Sequence, residues 1–254
     1  MEKLHIFDGN AFFGMRSLRL PGSFYKKEDL LRKMDEYGIE KALVYHSMAK
    51  EYDPQVGNQI LLDEIGTESR LVPMWSVLPH YTGEFDPPEV LADKMKRYGI
   101  KAVTMFPSPA SQNFSFSDLT CGAIYEMLEH YDIPLFIGLD QLGGTMANFG
   151  SLVSSHPKMK IVLTNVTYRI DRDLYPLMDK YDNFLLETSG YKPLEGIPMI
   201  CEHFGAHRLV FGTGMPAISG PASLGLLVYA QIPFEQKQMI ASKNLTKLLG
   251  GVRL

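Results

Sequence analysis

The side chains of this sequence that could do chemistry stand where short apolar runs end. His46 closes "ALVYH", Asp140 closes "PLFIGLD" and Glu187 closes "NFLLE", while Asp8 ends the first run, "HIFD". An imidazole and three carboxylates at such positions are candidate proton carriers, the groups that general acid–base catalysis requires. Around them stand candidate substrate contacts: the amides Asn10 and Asn165, the hydroxyl of Thr188, the indole of Trp75 and the guanidinium of Arg169. Arg169 and Lys50 are the candidate holders of an anion or a developing oxyanion. Each residue also has a structural alternative. His46 is equally well a strand-end histidine bonded to backbone. Asp8 suits holding a turn or a backbone amide, Asp140 and Gln141 suit capping the next helix, and Trp75 suits the core. A carboxylate after a buried apolar run must find a cation or a donor, so an ion pair between Glu187 and Arg169 is expected. Thr188-Ser189 has no nucleophile-elbow context.

These residues need a scaffold that brings run ends together. An amphipathic segment, an aromatic residue, a turn residue and a short apolar run recur as "YGIEKALVYH", "YGIKAVTMF", "YDIPLFIGLD", "YDNFLLETSG" and "FGAHRLVFG". The glycines fit the left-handed position just past a helix. The apolar runs lack clean alternation, as strands buried on both faces do. Eight are present: Leu4–Phe7, Lys41–Tyr45, Leu71–Val77, Lys101–Met105, Pro134–Leu139, Lys160–Leu163, Asn183–Glu187 and Arg208–Phe211. Between them, "EDLLRKMDEY" puts Leu30, Leu31, Met34 and Tyr37 on one helix face, and "EVLADKMKRY" does so with Val90, Leu91, Met95 and Tyr98. "FEQKQMIASKNLTKLLG" is a helix ending at Gly250. Strand and helix alternate throughout without a linker, which predicts an α/β fold, a (β/α)₈ TIM barrel, as one domain over 1–254. A doubly wound open sheet is the alternative, but "DGNAFFG" lacks the G-x-G-x-x-G spacing of its first turn.

Composition narrows the partners. With 25 Lys+Arg against 29 Asp+Glu, net charge -4 and no basic block, the chain has no electrostatic footprint for nucleic acid or an acidic membrane surface. No run approaches the ~20 apolar residues of a membrane span, and no signal peptide is expected from the N-terminal residues. The two cysteines, Cys121 and Cys201, lie in helical patterns and suit neither a disulfide framework nor a zinc motif. A cytoplasmic, reduced protein is expected.

With the run ends laid out, the chain resembles the amidohydrolase-related TIM-barrel proteins, a family that includes decarboxylases and lactonases. "IFDGNAFFG" resembles the family's opening Asp-x-His-x-His-x-Gly, "HFGAHRLVFGTGMP" its Phe-Gly, Arg, Phe-Gly-Ser-Asp-x-Pro segment, and "NLTKLLG" its closing Asn-Ala-x-x-Leu-Leu helix. "IPLFIGLD" and "NFLLETSG" fall where the family has its fifth and seventh strands. The resemblance implies a divalent metal held by two histidines on the first strand, one each after the fifth and sixth, and an aspartate after the eighth. Here those positions are Asn10, Phe12, Gly138, Asn165 and Gly214. Phe and Gly offer no ligand atom, and a neutral amide is a poor one beside imidazole or carboxylate. The expectation is therefore a barrel without a catalytic metal or other cofactor, Phe12 filling the vacated space, and a homodimer on resemblance alone.

Three functions follow: a metal-independent hydrolase or lyase on a small, anionic substrate; an inactive relative that binds a small molecule or regulates; or an interaction scaffold. A polar cavity holding His46, Glu187 and Arg169 would favour the first two, and a mouth plugged by Phe12, Phe13 and Phe106 the third. "MFPSPASQNFSFSD" is long enough to be a lid.

Overall fold

The structure, a computed structural model, describes residues 3–254. Its strands are β1 (Ile6–Phe13), β2 (Ile39–His46), β3 (Leu71–Pro73), β4 (Trp75–Ser76), β5 (Val103–Thr104), β6 (Leu135–Gly138), β7 (Ile161–Thr164), β8 (Phe184–Glu187) and β9 (Leu209–Val210). All successive pairings are parallel. β3 and β4 are the two halves of the run expected at Leu71–Val77: the chain pairs with β2 before Met74 and with β5 after it. The ring closes where Gly9 N–H donates to the Phe211 carbonyl at 2.9 Å and Phe12 N–H to that of Met215 at 2.9 Å. The eight expected runs are thus the eight staves of a TIM barrel.

The first stave departs from expectation. It does not stop near Asp8 but continues to Phe13, with a register shift between Asp8 and Ala11. Gly9 permits this, because a Cβ there would lie 2.8 Å from Val210 Cγ1 and 3.1 Å from the Phe211 carbonyl oxygen. Such a bulge bends the strand and re-aims the side chains beyond it. Asn10 and Phe12 are thereby delivered to the barrel mouth, while Phe13 turns outward, its ring edge-on to His46 at 5.5 Å.

Alternation then decides what faces inward. Phe7, Phe12, Leu43, Tyr45, Met74, Ala102, Phe106, Phe136, Val162 and Val210 form one cluster inside the ring, joined by Leu245 and Leu249 of the C-terminal helix. The intervening residues, among them Val44, Trp75, Met105 and Leu163, pack with the helices in the larger outer core. Helices Lys27–Tyr37 and Pro88–Tyr98 end at Gly38 and Gly99, both left-handed, at φ 68° and 69°. Val90 and Tyr98, expected on the buried face of the second, are exposed; Ala92 is buried beside Leu91 and Met95 instead. The C-terminal helix carries a π turn at Met239–Lys243, where the Ile240 carbonyl accepts the Phe211 N–H at 3.0 Å. Asn244 then donates to the carbonyls of Ala206 and Leu209 at 2.8 Å each, tying this helix to the approach to β9. Among the described residues no helix is long and apolar enough to cross a membrane.

Candidate active site

At the C-terminal mouth of the barrel a cavity of about 110 Å³ is lined by Asn10, Phe12, Arg16, Tyr45, Ser47, Lys50, Glu51 and Asn165, with Gly214, Ala217 and Ile218 along one side. Its aromatic wall is built by strand alternation: Phe12 stacks on Tyr45 at 5.0 Å between centroids, and Tyr45 meets Phe106 at 5.2 Å. Larger grooves lie between the outer helices and in the loops, while at the mouth Arg16 and Lys50 converge on one small cavity. Arg16 lies 5.7 Å over the Phe12 ring, and its Nε donates to Glu51 Oε1 at 2.9 Å. Lys50 Nζ lies 5.1 Å over the Phe106 ring, and among the described residues no hydrogen bond or ion pair occupies it.

Two carboxylate–amide pairs flank this cavity. Asn10 Nδ2 donates to Glu187 Oε2 at 2.7 Å, and Ser189 adds its hydroxyl to Oε2 at 2.8 Å and its backbone N–H to Oε1. Glu187 is fully buried and fills the space above Gly212, where a Cβ would lie 2.2 Å from Oε1. Across the mouth, Asn165 Nδ2 donates to Asp140 Oδ1 at 2.8 Å and Gln141 Nε2 to Oδ2 at 2.7 Å. Asp140 and Asn165 are exposed. A Cβ on Gly138 would meet Asp140 Oδ1 at 2.3 Å, so this glycine makes room for the second pair.

Below the cavity, Asp8 is sealed in. Its Oδ1 accepts the N–H groups of Thr213 at 2.9 Å and Asn10 at 3.0 Å, and its Oδ2 accepts the Thr213 hydroxyl. Burial outweighs those donors and pushes the Asp8 carboxyl up to about 6. Glu187 is pushed up to about 7, mainly by burial and in smaller part by the nearby Asp8. Burial also raises the Tyr45 hydroxyl against the pull of Arg16. Lys50 is lowered, first by burial and then by the Arg16 guanidinium, while Asp140 and Glu51 oppose both.

The residues expected to share the site divide. Asn10 and Asn165 line the cavity, Asp140 borders it, and Glu187 and Asp8 lie beneath it without touching it. His46 points the other way, because Tyr45 faces the interior and the next residue must face out. His46 Nδ1 accepts the Met48 N–H at 3.2 Å, its Nε2 lies 3.8 Å from Glu64, and burial lowers its pKa. Trp75 likewise faces outward, 5.8 Å from the Tyr98 ring in a groove between helices Pro54–Ile65 and Pro88–Tyr98. Thr188 is buried with its hydroxyl unpartnered. The expected Glu187–Arg169 ion pair does not form: Arg169 is exposed in the short turn Tyr168–Ile170, and Asn10 and Ser189 satisfy Glu187 instead. The segment after β5 is no lid over the cavity. Gln112 from it donates to the carbonyls of Ala49 at 3.2 Å and Lys50 at 2.8 Å, steadying the helix Ser47–Glu51 that presents Lys50. Arg16 escaped the sequence reading. It lies in no motif, and only the continuation of β1 to Phe13 carries it to the mouth.

Solved structures share this architecture. A 5-carboxyvanillate decarboxylase from Sphingomonas paucimobilis is similar at 13% identity and a TM-score of 0.74, covering 98% of this chain and 99% of that one. A 2,6-dihydroxybenzoate decarboxylase from Rhizobium is similar at 16% identity and 0.74, over 98% and 99%. A TIM-barrel protein from Bordetella bronchiseptica is similar at 15% and 0.74, over 98% and 99%. No curated protein matches. At these identities the likeness shows the fold. The family model described as amidohydrolase matches residues 73–251, well over half of the sequence and every stave from the second half of the third to the eighth; the chain belongs to the amidohydrolase family.

Proposed function

We propose that this chain is an enzyme, a hydrolase or lyase, that acts on a small anionic molecule at the mouth of its barrel and does so without a catalytic metal. The observation that carries the proposal is the convergence of Arg16 and Lys50 on one cavity beside the Tyr45 hydroxyl and the amides of Asn10 and Asn165. A guanidinium is a planar fork of donors suited to a carboxylate. With Nε committed to Glu51, its terminal nitrogens are left for a ligand. Asp140, held by Asn165 and Gln141 and close enough to raise the pKa values of both Lys50 and Tyr45, is the carboxylate placed to move a proton there. Glu187 and Asp8 act as positioning residues, since neither touches the cavity.

The residues at the positions the family resemblance assigns to a metal do not fit one. Asn10 and Asn165 turn their amide nitrogens onto carboxylates, Phe12 is packed on Tyr45, and a Cβ on Gly214 would lie 2.7 Å from Ile218. Among the described residues no group of three His, Cys, Asp or Glu side chains is placed to hold a metal ion. A homodimer belongs to the same proposal on the resemblance alone, and a cytoplasmic, reduced location on the two unpaired, helical cysteines.

The test is turnover of a panel of small lactones, esters and carboxylic acids by protein treated with a strong chelator and assayed for residual metal. Turnover that survives chelation and falls at least tenfold in Arg16→Ala is the expected result. Turnover that needs added zinc or manganese would overturn the metal-free reading. Binding without any turnover would identify an inactive relative that holds a small molecule.

A further inference from the structure

We propose that Lys50 is a nucleophilic amine that forms an imine with a small 2-oxo acid whose carboxylate is held by Arg16; this rests on the anion-binding function proposed above and names its substrate class. The two cations of the cavity are not equivalent. Arg16 is anchored by Glu51 and permanently charged, which suits it to a carboxylate. Lys50 has no partner among the described residues, its ammonium rests only on the Phe106 ring, and its backbone is clamped by Gln112. Lys50 is half-buried and shares the cavity with the Arg16 guanidinium, against the carboxylates Asp140 and Glu51; burial or a neighbouring cation is what makes a lysine nucleophilic. A ligand with its carboxylate next to its carbonyl would engage both groups at once.

Size points the same way. A 150 Å³ apolar cavity accommodates benzene, so about 110 Å³ holds a fragment smaller than benzene. A three-carbon 2-oxo acid is that small, whereas a substituted benzoate would have to project out of the mouth.

The chemistry balances without a co-reactant. The lone pair of neutral Lys50 forms a C–N bond to the carbonyl carbon, and the carbonyl π pair moves to oxygen, which takes a proton. Loss of water then gives the protonated imine. This cation acidifies the neighbouring C3–H; a base removes that proton, the C–H pair forms the enamine, and the carboxylates at hand to receive it are Glu51 in the cavity lining and Asp140 at the rim. Return of a proton to C3 and addition of water release the 2-oxo acid and the free amine.

The experiment incubates the full chain with pyruvate and sodium borohydride and maps the adduct by peptide mass spectrometry. Propionate, which lacks the carbonyl, is titrated in parallel by calorimetry. The expected result is one adduct on Lys50, with the mass of pyruvate less one oxygen atom, lost in a folded Lys50→Gln variant. In heavy water, the expected protein-dependent exchange of the pyruvate methyl protons falls at least tenfold in the same variant. If propionate binds but Lys50 is not modified, or is modified no more than surface lysines, the imine is excluded and the anion site stands. If propionate does not bind either, both fall.

Discussion

The two carboxylate–amide pairs at the barrel mouth use the same chemistry to opposite ends. Glu187 with Asn10 is sealed beneath the cavity and has no cation, so burial pushes its carboxyl up to about 7. Asp140 with Asn165 stands exposed at the rim, where its charge acts on Lys50 and Tyr45. The first pair fixes the floor; the second supplies a charge to the site. A polar residue at a strand end of a barrel is thus not by itself catalytic. Its burial and its distance from the cations decide which role it takes.

The largest effect that would break this contrast concerns pH. Asp8 and Glu187 both have folded values above those of unfolded carboxyls, so the folded state prefers them protonated. Their contribution to stability is complete below about pH 4 and is lost as pH rises through about 6 for Asp8 and about 7 for Glu187. For Glu187 the loss amounts to roughly 3 kcal/mol. Denaturant unfolding at pH 5 and pH 8 reads it directly. Glu187→Gln, with the Asn10 amide turned over to present its oxygen, should be the more stable protein at pH 8 and nearly equal at pH 5. A stability profile unchanged by the substitution would contradict the assignment.

A smaller effect is steric. Gly212→Ala places a methyl 2.2 Å from Glu187 Oε1, a carboxylate held in place by Asn10 and Ser189, and 2.9 Å from Asn10 Cβ. It should cost about 2 kcal/mol, the usual scale for overpacking, and denaturant midpoints check it. The smallest effect belongs to the exposed pair. Asp140→Asn should change stability by no more than about 0.5 kcal/mol, yet it removes a negative charge from Lys50. The Lys50 titration, followed by NMR of its side chain, should therefore move to lower pH. An upward or absent shift would mean that Asp140 does not act on the site.

Much of this architecture was legible in the sequence. Tyr-Gly-Ile and Tyr-Asp-Ile punctuation marks helix ends because a left-handed residue must follow them, and the eight apolar runs are the eight staves. The expectation failed where the relevant information lies between strands. Gly9 bulges against Val210 and Phe211, which lie some 200 residues further along the chain, so nothing local announces that β1 continues to Phe13 or that Arg16 follows it to the mouth. His46 and Trp75 were misplaced for a different reason. Strands buried on both faces carry apolar residues throughout, so parity is hidden, although Leu43 and Tyr45 facing inward fixes His46 outward. Glu187 did need a partner, but amide and serine donors met that need in place of Arg169.

The central claim is that the mouth of this barrel is an anion site built on Arg16, and its most direct test is calorimetric titration of a small monocarboxylate into the folded protein and into Arg16→Ala. Removing a charge-assisted hydrogen-bond donor costs about 1.5–3 kcal/mol. The account therefore predicts one site per chain, weakened at least tenfold in the variant. Equal affinity in both proteins, or no binding to either, would contradict it.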